Sequence, residues 1–143
     1  MKVAELMIGD WVLSFPDKCK VDGIICLREV HTAEEKWMAV VHIGGNEFQR
    51  VNVGILEPIS LTREILERNG FRDTYKDRSL AKDNVFKWYD VYGHCVTVDM
   101  NTNAIKIQHD SRVLLDLRYN IVVPVHELQH TLRQCGIDKN IEL

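Results

Sequence analysis

The sequence predicts an α+β protein in which two groups of short strands are each followed by a helix. The first 59 residues consist of short β-branched and aromatic segments between turn signals, which is typical of antiparallel strands. Residues 61–70 carry the start and stop signals of a short helix. A second group of strand-like segments follows, and residues 124–136 have the apolar spacing of a closing helix.

The first 59 residues predict a small antiparallel β unit. Its strand candidates are residues 6–15, 21–30, 37–43 and 48–53. Asp22-Gly23 predicts a bulge or tight turn, and Gly44-Gly45-Asn46 predicts a hairpin because Gly and Asn accept positive φ at little cost. Several short strands with tight turns indicate a small curled sheet or barrel, which we describe as SH3-like. The predicted organisation is this unit at residues 1–59 and a second part at residues 60–143, together one compact two-lobed domain.

The short helix at residues 61–70 has a complete set of local signals. Thr62 is the predicted N-cap, since its hydroxyl can accept a hydrogen bond from a free backbone N–H. Leu61 before the cap and Leu66 after it form a hydrophobic staple. Gly70 stands where the chain needs a left-handed residue to leave the helix.

The second part predicts a β meander and a C-terminal helix. Residues 72–84 are polar and are expected to form an exposed connection. The strand candidates are residues 85–91, 95–99, 104–108 and 113–119. Val113 is expected to alternate in phase with Leu115 and Leu117. The closing helix is expected to begin near Pro124, in its first turn, and to end at Gly136.

Composition narrows the classes of function. The chain is 45% hydrophobic and 27% charged, which is ordinary for a globular protein, and no apolar run is long enough to span a bilayer. The N-terminus reaches Glu5 before any long apolar segment, so no signal peptide is predicted and the expected location is the cytoplasm. A net charge of −3 gives no overall attraction to nucleic acid or anionic lipid. The four cysteines form no C-x-x-C pair and are expected to be free thiols.

The sequence H-E-L-Q-H at residues 126–130 matches the motif of a zinc peptidase helix. On a helix, His126 and His130 would lie one turn apart and could bind a single zinc ion. Glu127 would then act as general base on the bound water. A zinc-dependent hydrolase is therefore one alternative function, with zinc as its cofactor.

Three features favour a structural reading of the same helix. The long motif with a third histidine would place a glycine at 133 and a histidine at 136, where Arg133 and Gly136 stand. Pro124 places both histidines in the first turns, whereas peptidase helices begin well before them. A stripe of apolar side chains accounts for the helix without a metal, and both histidines are expected to face away from it, outward. The stripe is Val125, Leu128, Leu132 and Cys135. No metal, cofactor or catalytic residue is therefore predicted, and the protein is expected not to be an enzyme.

Three segments resemble a known family in the same order along the chain. They are residues 5–12 (E-L-M-I-G-D-W-V), residues 57–62 (E-P-I-S-L-T) with Gly70-Phe71, and residues 125–130 (V-H-E-L-Q-H). The resemblance is to small uncharacterised bacterial proteins that are often found among prophage and mobile-element genes, and it implies no activity. That family's closing helix looks like V-H-x-L-Q, with glutamine common in place of Glu127 and asparagine in place of His130. The resemblance thus implies that the zinc pair arose by substitution.

Two further sets of residues are weaker candidates for binding. An aromatic set could form a surface, although such residues more often fill the core. It comprises Trp11, Trp37, Trp88 and Tyr89. A basic set within residues 72–87, with aromatic neighbours, would suit weak nucleic-acid binding. It comprises Arg72, Lys76, Arg78, Lys82 and Lys87.

The preferred interpretation is a non-enzymatic accessory or interaction protein of prophage or mobile-element type, whose partner is an unidentified protein. The zinc-dependent hydrolase and a weak nucleic-acid binding module are the two alternatives. Nucleic acid and membranes are not the expected partners. The predicted core contains Leu6, Ile8, Val12, Ile25, Val40, Ile65, Leu66, Val96, Val98, Leu128 and Leu132.

Overall fold

The computed structural model describes residues 6–7, 10–14, 17–28, 35–44, 46–74 and 84–143. It has two antiparallel five-stranded sheets, a short helix and a C-terminal helix, so the α+β prediction is confirmed. The chain divides into two compact units, Met1–Ile59 and Ser60–Leu143. Each unit contains one sheet, and both helices lie in the second unit.

The first sheet is a four-stranded meander to which the chain adds a fifth strand. The strands are β1 Trp11–Ser14, β2 Asp17–Arg28, β3 Glu35–Gly44, β4 Glu47–Asn52 and β5 Glu57–Pro58. Their order is β4-β3-β2-β1-β5, so the last strand returns to pair with the first. A one-turn 3₁₀ helix, Val53–Ile55, precedes β5. The sequence analysis missed β5, because two residues with a proline carry no strand pattern.

The register of the first sheet separates an apolar face from a polar one. The apolar face supplies the buried side chains Val12, Cys19, Val21, Ala39, Val41 and Val51. The register between β2 and β3 shifts after Val21, where Asp22 is the extra residue, so the feature predicted at Asp22-Gly23 is a β-bulge. Gly44 pairs with Glu47, which confirms the predicted hairpin between β3 and β4.

The second sheet is a sequential meander, as predicted. Its strands are β6 Arg72–Asp73, β7 Val85–Tyr89, β8 His94–Asp99, β9 Ala104–His109 and β10 Arg112–Arg118. Each strand pairs with its neighbour in sequence. The connection expected at residues 72–84 is wrong at its start, because Arg72 and Asp73 pair with β7. Residues 75–83 lie outside the described residues.

A second β-bulge changes the exposure of β10. Val113 was expected to share the inward face with Leu115. Instead Val113 pairs with Gln108 and Leu115 pairs with Ile107, which leaves Leu114 as the extra residue. Val113 is 52% exposed and Leu114 46% exposed. The bulge therefore turns two apolar side chains toward solvent.

Helix α1, Arg63–Arg68, confirms its predicted caps. The hydroxyl of Thr62 accepts a hydrogen bond from the backbone N–H of Ile65 at 3.3 Å. Gly70 has a φ of +79° and leads the chain out of the helix. Both leucines of the predicted staple are buried.

Helix α2, Val125–Gln134, begins one residue later than expected. Pro124 is its N-cap, with extended backbone, and not part of the first turn. Gly136 has a φ of +71° and ends the helix as predicted. No helix in the described part of the chain is long and apolar enough to cross a membrane.

Segments flanking α2 hold α1 at both of its ends. Before α2, the backbone N–H of Leu61 donates to the carbonyl of Val123 at 2.9 Å. After α2, the side chain of Asn69 hydrogen-bonds the backbone N–H and carbonyl of Glu142, at 2.9 and 2.7 Å. These contacts tie the two helical segments together independently of side-chain packing.

Most of the predicted core is buried. The predicted residues that are buried are Leu6, Val12, Ile65, Leu66, Val96, Val98, Leu128 and Leu132. Val40 is half-buried, because it lies on the polar face of the first sheet opposite Gly23. Ile8 and the side chain of Ile25 lie outside the described residues.

Candidate interaction surface

The histidines of H-E-L-Q-H do not both face solvent. His126 is only 4% exposed, so the expected outward orientation is wrong for this residue. His130 is half-buried, and the two ring centroids are 5.6 Å apart in a near-perpendicular arrangement. Gln129 and Thr131 are buried too, so α2 is covered around far more of its circumference than the apolar stripe implied.

Glu127 is engaged in contacts within the second unit. Its carboxylate accepts a hydrogen bond from the hydroxyl of Tyr119 at 3.2 Å and lies 3.7 Å from Nε2 of His126. Burial, followed by the charge of Glu127, raises the pKa of Tyr119 to about 12. Tyr119 is therefore a neutral donor at physiological pH. The hydrogen bond from Tyr119 thus fixes the position of the Glu127 carboxylate without a bound water.

The described residues provide no third ligand for zinc. No three His, Cys, Asp or Glu side chains within residues 6–7, 10–14, 17–28, 35–44, 46–74 and 84–143 come together in a way that could hold a metal ion. The upstream histidines His94 and His109 contact each other at one end of the second sheet.

The structure brings together two members of the predicted basic set. Arg72 and Lys87 are directly opposite each other on β6 and β7 and border an open cavity of about 470 Å³. Asp73 beside them is paired with Arg63 at 3.1 Å. The other three predicted residues, Lys76, Arg78 and Lys82, lie outside the described residues.

The predicted aromatic set does not form one surface in either sheet. Trp11 and Trp37 lie on opposite faces of the first sheet, because Trp11 pairs with Lys20 and Trp37 alternates in phase with the buried Ala39. Neighbours on β7 also point to opposite faces. The ammonium group of Lys139 lies over the Trp88 ring, 5.0 Å from the ring centroid. The Tyr89 side chain is 64% exposed.

The turn between β7 and β8 is held by a partly buried network around Asp90. One carboxylate oxygen of Asp90 accepts from the backbone N–H groups of Tyr92 and His94, at 2.9 and 2.8 Å. The other lies 2.7 Å from Nδ1 of His94. Burial raises the pKa of Asp90, but these hydrogen bonds outweigh it and hold the pKa below its usual value. The ionised carboxylate therefore stabilises this turn.

The neighbouring turn, between β9 and β10, contacts the first one. His109 pairs with His94 in the sheet, and their ring centroids are 4.7 Å apart. The backbone N–H of Asp110 donates to the carbonyl of Gly93 at 3.3 Å. Gly93 has a φ of +93°, and a β-carbon there would lie 2.7 Å from the Asp110 carboxylate. A glycine is therefore required where the two turns meet.

These two turns carry exposed apolar side chains at one end of the second sheet. Val91 is 92% exposed and Tyr92 is 77% exposed on the first turn. Val113 and Leu114 follow the second turn and are exposed by the β10 bulge. We call these four residues the turn-end patch. In the sequence, residues 92–94 are visible only as the break between two strand candidates, because neither the contact between the turns nor the bulge has a local sequence signal.

Replacing Asp90 with asparagine should make this turn less stable in a pH-dependent way. Because the folded-state pKa of Asp90 is lowered, the carboxylate contributes its full stability above its unfolded pKa of about 3.9. That contribution is lost as the pH falls through the folded-state pKa. We expect Asp90→Asn to lower the free energy of unfolding by about 1 kcal/mol at pH 6, and by progressively less below pH ~4. Urea denaturation at several pH values measures both effects.

The exposed Asp116 on β10 provides the matched control. Asp116→Asn removes the same charge without a partly buried network, so its effect should stay within about 0.5 kcal/mol at every pH. A difference between wild type and Asp90→Asn that is constant from pH 6 to pH 3 would contradict the assigned role of Asp90.

Comparisons with protein-family models, curated proteins and solved structures give no match. The function is therefore inferred from the surfaces of this chain. Of those described above, the turn-end patch combines a hydrogen-bonded backbone with exposed apolar side chains.

Proposed function

We propose that this protein is a non-enzymatic accessory protein of prophage or mobile-element type, which binds a protein partner through the turn-end patch. The observation that carries the proposal is the exposure of Val91 and Tyr92 on a turn that hydrogen bonds to the Asp90 carboxylate hold in place. An exposed tyrosine on a rigid support is typical of a binding hot spot. Little conformational entropy is lost when such a side chain enters a partner's pocket.

Exposed apolar side chains on more than one turn support a protein rather than a small molecule as the partner. Val113 and Leu114 are exposed at the same end of the second sheet as Val91 and Tyr92. They lie on β10, which is the edge strand of the second sheet. A partner that covers the patch therefore has beside it a strand edge that no other described residue pairs with, where polar contacts can form a rim.

The proposal includes an SH3-type barrel for the first unit. The return of β5 to β1 supports this assignment, because the chain has to cross back over the four-stranded meander to place its last strand beside its first. Barrels of this size commonly serve as binding modules, although that likeness is one of fold alone.

A cytoplasmic location and a mobile-element setting complete the proposal. Free thiols at Cys19, Cys95 and Cys135 suit a reducing compartment. The setting rests on the resemblance of the three sequence segments. The family pattern V-H-x-L-Q names the positions of His126, Leu128 and Gln129. All three side chains are buried, and packing restricts which residues a buried position accepts.

Site-specific photo-crosslinking tests the proposal. A benzophenone amino acid is placed at Tyr92, or at the exposed Asn140 as a control, and each protein is irradiated in an extract of the source cells. We expect one discrete heavier adduct from position 92 and none from position 140. Excess wild-type protein should suppress the adduct, and the double variant V91S/Y92A should be a competitor about tenfold weaker or more.

The same experiment can contradict the proposal. Equal adducts from both positions would indicate non-specific contact, and no adduct from position 92 would remove the patch as the binding site. Equal competition by the wild type and the double variant would show that Val91 and Tyr92 contribute no binding energy.

A further inference from the structure

Four side chains of different chemistry form a continuous row across the polar face of the first sheet. Phe48 on β4 is directly opposite His42 on β3, His42 is opposite Lys20 on β2, and Lys20 is opposite Trp11 on β1. Directly opposed residues lie on the same face of a sheet. With strands about 4.8 Å apart, the row is about 14 Å long. We call these four residues the outer row.

Phe48 and Lys20 of the outer row are exposed, Trp11 and His42 are half-buried, and the row is partly organised by its own contacts. Phe48 is 55% exposed, and its ring centroid is 5.2 Å from that of His42. Lys20 is exposed, and its ammonium group lies 5.9 Å from the centroid of the Trp11 ring. A cation–π contact at that distance is weak, so the lysine can turn to an anionic ligand without a large loss.

The charge on this face is opposite in sign to that of the whole chain. Register and exposure place Lys18, Lys20, Lys36 and Arg50 here, against Glu57 at the β5 edge and the bulge residue Asp22. The whole chain has a net charge of −3. The net charge of the whole chain argues against nucleic acid as a partner. The fold, however, gathers basic side chains on one face of the first sheet, and a bound ligand interacts mainly with the electrostatic potential of that face.

We propose that single-stranded nucleic acid, DNA and RNA alike, binds across the outer row. Bases stack on Phe48 and Trp11, and Lys20 contacts a phosphate between them. Arg50, two residues after Phe48 on β4, contacts a neighbouring phosphate. This combination of aromatic platforms and a basic track is the general means of binding single strands without sequence preference. The inference rests on the proposed function as a binding protein, but it uses a surface in the other unit from the turn-end patch.

The geometry favours a single strand over two other anionic partners. A broad sheet face cannot enter a groove of duplex DNA, and the bases of a duplex are already stacked on one another. An acidic peptide would use the cations but would gain little from an exposed phenyl ring. A contribution from the Phe48 ring therefore distinguishes a nucleic acid from an acidic chain.

Fluorescence anisotropy with a labelled fifteen-residue oligothymidylate and the matching oligouridylate tests the proposal on the full chain. We expect both to bind at 50 mM salt, and the logarithm of the association constant to fall with log salt at a slope near −1.4 if Lys20 and Arg50 each hold one phosphate. Phe48→Ala should weaken binding at least fivefold. The double variant K20A/R50A should remove most of the salt dependence.

Controls separate loss of the site from loss of the fold. Phe48→Val keeps an apolar, strand-forming side chain without the ring, so it should weaken binding as much as Phe48→Ala while unfolding at the temperature of the wild type. Tyr89→Ala removes an exposed ring from β7 of the second sheet, and Arg68→Ala removes an exposed charge from α1. Both control variants should bind within twofold of the wild type.

Several results would overturn the inference. These are undetectable binding at 50 mM salt, equal affinity for a duplex of the same length, equal competition by polyglutamate, or wild-type affinity of both Phe48 variants. Loss of binding in R72E/K87E but not in K20A/R50A would move the nucleic acid to the second unit and reject the outer row. None of these outcomes affects crosslinking at Tyr92, so the inference and the proposed function can fail separately.

Discussion

Replacing Leu132 with alanine is expected to lower the free energy of unfolding by about 2–5 kcal/mol. Leu132 is fully buried in α2 and accounts for part of the apolar stripe predicted from the sequence. Removing its isobutyl group loses transfer energy and leaves a cavity that a closely packed interior can fill only in part. Because α1 and α2 both lie in the second unit, circular dichroism at 222 nm during urea denaturation follows the unfolding of that unit.

Gln134 provides the matched control for Leu132. It lies two residues further along the same helix and is exposed, so Gln134→Ala should change stability by no more than about 0.5 kcal/mol. If Leu132→Ala were also nearly neutral, α2 would not be the structural element described here. The same measurement in the presence of zinc should give unchanged values for the wild type, since a metal bound only by the folded state would raise its stability.

Local signals were sufficient to predict α1. The Thr62 cap, the leucine staple and Gly70 all lie within ten residues of one another, and each acts through the backbone of its own helix. For the same reason the β3–β4 hairpin was predictable around Gly44. Elements whose geometry depends on neighbouring residues alone can be predicted from the chain sequence.

The burial of His126 could not be predicted in this way. A helical wheel identifies the apolar side of α2, but it does not show which other segments cover the remaining sides. Ile137 and Ile141 in the tail are buried, as is Val123 before the helix, so segments at both ends of α2 contribute to the core. Polar side chains such as Gln129 are then buried by tertiary contacts that have no periodic signal.

The outer row was also beyond sequence reasoning, although each of its strands was expected. Its members come from four strands, and their alignment depends on register. The Asp22 bulge sets that register between β2 and β3, and a slip of one residue would turn Lys20 to the buried face. The turn-end patch depends on a bulge at Leu114 in the same manner. Both candidate binding surfaces thus arise from strand pairing rather than from a motif.

Replacing Asn69 with aspartate is expected to lower the free energy of unfolding by about 3 kcal/mol at pH 7. The amide group of Asn69 donates to the carbonyls of Ile65 and Glu142, at 2.8 and 2.7 Å. An aspartate of the same shape would direct a charged acceptor at those two carbonyls inside a buried site. The interaction between residue 69 at the end of α1 and the Glu142 carbonyl in the C-terminal tail would become repulsive.

The pH dependence of the Asn69→Asp variant distinguishes lost hydrogen bonds from lost packing. The new carboxyl group is buried between carbonyl oxygens, so its pKa should be raised and it should become neutral as the pH falls toward 4. A protonated carboxyl can donate to one carbonyl again, and the deficit should then shrink by at least half. Asn140→Asp introduces the same change at an exposed position and should cost less than about 0.5 kcal/mol at either pH. A deficit at Asn69 that is independent of pH would mean that this residue is needed for its shape and not for its hydrogen bonds.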